Sequence, residues 1–98
     1  MNIQEAIAEL DKDDTLLMMP AHWEFGKAAS LDKGGEHHVP HLRAQILRAN
    51  WMDHRRRKSW DDVTHLELCR VRDITADWIV FPRAITTEKQ LEKWRKKQ

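Results

Sequence analysis

Residues 59–71, SWDDVTHLELCRV, support two periodicities, and the choice between them decides the fold. Read with a period of two, Val63, His65, Glu67, Cys69 and Val71 alternate with Thr64, Leu66, Leu68 and Arg70, which describes a strand with one mostly apolar face. Read with a helical period, Ser59-Trp60-Asp61-Asp62 resembles a capping box, and Val63, Leu66, Arg70 and Ile74 share a stripe. We adopt the strand.

Working outward, residues 77–81, DWIVF, form a β-branched and aromatic run closed by Pro82, and are expected to be a strand. Beyond it, Thr87 with Gln90 makes an N-terminal capping pair. Leu91 and Trp94 follow on one face, and Arg95-Lys96-Lys97 suits the negative end of that helix. On the N-terminal side, Pro40 fits the first position of a helix running to about Asp53. Leu42, Ile46 and Ala49 form one stripe of it, Leu47 and Trp51 another. A helix apolar on two faces is either central or keeps one side for a partner. Residues 32–38 are a loop around Gly34-Gly35, and residues 21–31 fit either strand or helix. TLLMM, 15–19, reads as a buried strand ended by Pro20. NIQEAIAEL, 2–10, places Ile3, Ala6, Ile7 and Leu10 on one helical stripe. The expected fold is a small α+β single domain spanning 1–98, with about three helices and a short antiparallel sheet.

Composition narrows the function classes. The chain has 98 residues, 41% hydrophobic and 34% charged, which is a globular balance. The net charge of +1 hides blocks: residues 1–20 carry −4, 41–60 carry +5, 61–82 carry −3 and 83–98 carry +4. Such blocks suit self-neutralising faces or an oriented docking surface better than a dedicated nucleic-acid binder. One cysteine allows no internal disulfide, and the expected compartment is a reducing cytoplasm. No apolar run approaches the ~20 residues a membrane span requires, and no export signal is expected at the N-terminus.

The candidate site is WMDHRRRKSWDDV, 51–63. Tryptophan and arginine dominate interface hot spots, and here Trp51, Arg55, Arg56, Arg57, Lys58 and Trp60 interleave. Arginine forks grip carboxylates or phosphates. The expected partner is a host protein or complex with an acidic rim. A nucleic acid is the alternative, with the cations on phosphates and the indoles stacked on bases. A helix-turn-helix over SWDDVTHL…RDITADWIV has the right length for it, but Asp73 and Asp77 would repel phosphate.

A second cluster, His37, His38 and His41 beside Glu36, offers metal-ligand chemistry. Adjacent histidines on an extended chain point oppositely, so two at most converge easily. Glu36 to Pro40 also resembles the acid-His-x-Val-Pro segment of phage-type His-Asn-His endonucleases. In those enzymes a His-containing helix follows the asparagine, whereas His54 stands only four residues after Asn50. No phosphate-binding glycine loop or nucleophile elbow occurs. A non-enzymatic protein with no cofactor is expected.

RRRKSW and DITADWIVF resemble two landmarks of the phage-borne anti-defence domains that sequester the signalling nucleotides of Thoeris systems. The matching features are Ala44 to Leu47, Arg56 to Trp60 and Asp73 to Phe81, with MNIQEAIAEL as the opening helix. The interval from Trp60 to Trp78 is shorter than that family shows, so no ligand-binding residue is carried over. The resemblance implies a phage or mobile-element module that works by binding, including as a sponge for a nucleotide signal. Together with the Trp/Arg segment, the expectation is a stoichiometric inhibitor or adaptor acting in counter-defence.

Overall fold

The structure, a computed structural model, describes residues 1–36, 40–52, 55–63 and 71–97, the side chains of 50–52 and 55–56 excepted. The elements run α1 (Ile3–Lys12), β1 (Leu16–Pro20), β2 (Lys27–Asp32), β3 (His41–Met52), β4 (Arg55–Val63), α2 (Val71–Ile74), β5 (Trp78–Pro82) and α3 (Glu88–Lys96). The α+β expectation holds: three helices accompany one antiparallel sheet of order β4-β3-β2-β1-β5. Among the described residues no helix is long and apolar enough to cross a membrane.

Local chemistry explains the helix ends. The Asn2 side chain accepts from the Glu5 N–H at 2.8 Å while the Glu5 carboxylate accepts from the Asn2 N–H at 3.0 Å, a reciprocal cap on α1. At α3 the Thr87 hydroxyl accepts from the Gln90 N–H at 3.2 Å, and the Gln90 side chain accepts from the Thr86 N–H at 2.9 Å. The strands at Leu16–Pro20 and Trp78–Pro82 match the expected ones and pair with each other in register Met18↔Val80. The ambiguous 21–31 stretch divides into turns and β2. Gly26 supplies the positive φ of 122° at the junction, and its carbonyl accepts from the Leu47 N–H at 2.9 Å.

The expected helix over 40–53 is instead the twelve-residue strand β3. Leu42 and Ile46 are four residues apart, which satisfies a helical stripe, but the same spacing puts them on one face of a strand. Leu47 then lies on the other face. A segment apolar on both sides is what a central strand shows, and β3 is hydrogen-bonded on one edge by β2 and on the other by β4. Good helix formers such as Ala, Leu, Arg and Gln lose to that pairing, since propensity is worth only tenths of a kcal/mol per residue. The capping-box and helix-turn-helix readings fail likewise, since 59–63 lies in β4 and 78–82 is β5; of the strand expected over 59–71, residues 64–70 lie outside the described residues and Val71 opens α2.

The sheet buries both faces. On one, α1 sets Ala6 and Leu10 against Met18, Ala29 and Trp78. On the other, Leu17, Met19, Ala28, Trp60, Phe81, Ile85 and Leu91 pack together, the last from α3. Trp60 and Phe81 sit on the two edge strands, yet their rings are 5.8 Å apart. Four strand spacings laid flat would separate those strands by about 19 Å. The sheet therefore curls around this inner face, and Phe25 wedges in at 5.7 Å from Trp60.

Candidate docking surface

β4 carries the cationic run, and β3 carries its partner positions: Asn50↔Arg57, Ala49↔Lys58 and Arg48↔Ser59. Successive residues of a strand face opposite sides of the sheet. The neighbouring cations Arg57 and Lys58 are thus on opposite faces rather than gathered into one claw. Arg57 shares its face with the exposed Arg48 and Lys27. Lys58 stands on the inner face, where it borders a hollow with Glu24, Phe25, Thr86, Thr87 and Glu88. Among the described residues no carboxylate pairs with Arg48, Arg57 or Lys58. Arg48, Arg57 and Lys58 are exposed at this end of the β3–β4 ribbon.

Trp60 departs from the expectation of an outward anchor. It is 5% exposed, and its indole Nε1 donates to the Ile85 carbonyl at 2.9 Å. A ring packed on Phe25 and Phe81 is core, because burying an indole with its N–H satisfied is worth more than holding it out for a partner. The side chains of Trp51, Arg55 and Arg56 lie outside the described residues; their backbones pair as Trp51↔Arg56 and Met52↔Arg55. His37 and His38 also lie outside the described residues. His41 opens β3, exposed, with Nε2 3.7 Å from Asp32 Oδ2. Among the described residues no three His, Cys, Asp or Glu side chains gather as a metal site. After Asn50, where the endonuclease pattern places a helix, the chain forms β4.

Two polar clusters escaped the sequence. On the inner face, Arg43 bridges Asp32 at 2.8 Å and Asp62 at 3.0 Å. Gln45, fully buried, donates through Nε2 to Ser30 Oγ at 3.0 Å and to the Asp62 carboxylate, while its Oε1 has no partner among the described residues. The Gly34 N–H bonded to Asp32 holds that carboxyl below its usual range, with Arg43 and His41 adding to the effect against the opposing pull of desolvation. At the other cluster, Asp73 is 4% exposed, and its Oδ1 accepts from His22 Nε2 at 2.8 Å and Trp23 Nε1 at 3.1 Å. Its backbone carbonyl accepts from Trp78 Nε1 at 2.9 Å. The contributing residues stand some fifty positions apart in the chain, so no spacing rule could have joined them.

The outer edge of β5 is closed by the chain itself. The Trp78 N–H donates to the Met1 carbonyl at 2.7 Å, and Trp94 Nε1 donates to the Val80 carbonyl at 2.9 Å. Pro82 has no N–H to offer. The Met1 ammonium contacts Asp77 at 2.6 Å and keeps that carboxyl's pKa low.

No family model matches the sequence, and no curated protein or solved structure matches it.

Proposed function

We propose that this chain is a non-enzymatic binding protein of the kind carried by phages and mobile elements, acting stoichiometrically in the host cytoplasm as an inhibitor or adaptor of a host protein or complex. It docks through the cationic end of the β3–β4 ribbon, and a counter-defence role follows from the Thoeris resemblance. The observation that supports this most is that Arg48, Arg57 and Lys58 are exposed with no carboxylate of the described residues spent on them. Arg48 and Arg57 are diagonal neighbours on one face, and an acidic partner surface would neutralise the like charges they hold there.

The test is capture of a host protein by the full chain from nuclease-treated lysate, beside Arg48→Glu with Lys58→Glu. Loss of the captured protein in the double variant supports the docking surface, and undiminished capture removes it. If the chain instead shifts oligonucleotides with a steep loss between low and moderate salt, phosphate is the ligand and the protein-docking reading fails.

A further inference from the structure

We infer that the open edge of β4 pairs antiparallel with the same strand of a second copy about a two-fold axis at Ser59, joining two sheets into one. It shares Arg57 with the docking reading but rests on the main chain of β4, and the Arg57/Asp61 charge swap tests it separately from the Arg48/Lys58 variant. The main chain decides which groups are available. In an antiparallel pair, residues alternate between facing one neighbouring strand and the other. The Leu47 N–H donates to the Gly26 carbonyl, so Leu47 faces β2. Ile46 and Arg48 therefore face β4, and their register partners Asp61 and Ser59 face back. Positions 56, 58, 60 and 62 are left with N–H and C=O directed away from the sheet. The Trp60 carbonyl confirms the direction: it accepts from a side chain, Arg83 Nη1, at 3.4 Å. Arg83 meets this edge through that single long bond, whereas at the opposite edge Met1 and Trp94 take up main-chain groups of β5. β4 is nine residues long and stands at the end of the sheet order, with no strand of the described residues beyond it, which makes its outer side a template for another strand.

The occupant is set by charge. The strand reads Arg-Arg-Arg-Lys, then Ser59 and Trp60, then Asp-Asp. Ladder bonds require outward positions to meet outward positions, so only every second register is allowed. An axis at Lys58 stacks Lys58 on its own copy. An axis at Trp60 sets Arg57 against Val63. An axis at Ser59 sets Arg57 opposite Asp61 of the second copy and position 56 opposite Asp62, each twice by symmetry. Arg57 and Asp61 share a face of β4, so both Arg57–Asp61 pairs form on the same side of the joined sheet. The Trp60 carbonyl has two lone pairs, enough for the long Arg83 bond and a ladder bond together.

Sedimentation of the full chain is the first measurement. The wild type should run at twice its 11.7 kDa mass at micromolar concentration. Arg57→Asp alone and Asp61→Arg alone each confront like charges in both symmetric pairs and should be monomers. Mixed in equal amounts, the two variants should recover a heterodimer, since both swapped pairs are again opposite in sign. A monomeric wild type overturns the inference, as does a dimer that survives either single change, or a mixture of folded variants that stays monomeric. The register has its own test in a Cys69→Ser background. Ser59→Cys should cross-link to itself on oxidation, because the axis places the two Cα atoms about 4.5 Å apart. Lys58→Cys should not. The reverse pattern, or no cross-link at 59, rejects the axis even where a substitution has weakened the fold.

Discussion

The indole N–H of Trp60 on β4 donates to the carbonyl of Ile85, 2.9 Å away in the segment after β5. That bond ties the free edge strand to the opposite side of the curled sheet, and it makes the second tryptophan of the basic segment a structural residue.

Trp60→Phe is therefore expected to keep most of the apolar contact while orphaning the Ile85 carbonyl, lowering unfolding free energy by about 1–3 kcal/mol. Trp60→Ala should cost about 3–5 kcal/mol, because a cavity is added. Urea titrations measure both. Equal stability of Trp60→Phe and wild type would show that the bond contributes nothing.

Asp73 is the hub that fastens the 21–26 turn to α2, through His22 and Trp23. Asp73→Ala is expected to destabilise by about 2–4 kcal/mol, since two donors lose their acceptor at a buried site. Asp73→Asn retains one acceptor oxygen and should cost less than Asp73→Ala. Removing a partner that is part exposed, as in His22→Ala, should cost about 1 kcal/mol. The ordering Ala > Asn at position 73, by thermal or chemical unfolding, is the check.

Buried Gln45 lies against the Asp62 carboxylate. Gln45→Glu places a second negative charge there and should destabilise by about 3 kcal/mol at neutral pH, a loss that shrinks as the medium is acidified. Gln45→Leu removes Oε1, which has no partner among the described residues, together with the Nε2 donor, and those two losses offset. It should fall within about 1 kcal/mol of wild type. A Glu variant as stable at pH 7 as the Leu variant would contradict this.

Asp13, Asp32 and Asp77 all have depressed folded-state pKa values: Thr15 bonds the first, the Gly34 N–H the second and the Met1 ammonium the third. A carboxyl with a lower pKa folded than unfolded stabilises above its unfolded value, here 3.8, and loses that contribution as pH falls through the folded value. Unfolding free energy should thus hold steady at neutral pH and begin to drop as pH approaches 4. In Asp32→Asn with Asp77→Asn the drop should be shallower. Blocking the N-terminus by acetylation should raise the Asp77 pKa, readable by NMR titration of its side-chain carbonyl.

The parts of this fold that were legible are those decided within a few residues. The Asn2–Glu5 cap, the Ile3–Leu10 stripe and the Thr87–Gln90 cap are local bonds, formed between neighbours in the chain whatever else it does. LLMM and WIVF were legible because a short apolar run bounded by proline has few other uses. Residues 41–52 were misread because Leu42 and Ile46 satisfy two periods at once, and only pairing with β2 and β4 excludes the helix. Trp60 was misplaced because curling, a property of the whole sheet, carries it to Phe81 and Ile85. The Asp73 cluster was invisible because its members meet only after the chain has closed on itself. By itself, the sequence determined the caps, the charge blocks and the presence of a sheet, all short-range or compositional. Tertiary structure alone decided which cations remain in solvent and which indoles are sealed, since both depend on long-range packing that no local pattern encodes.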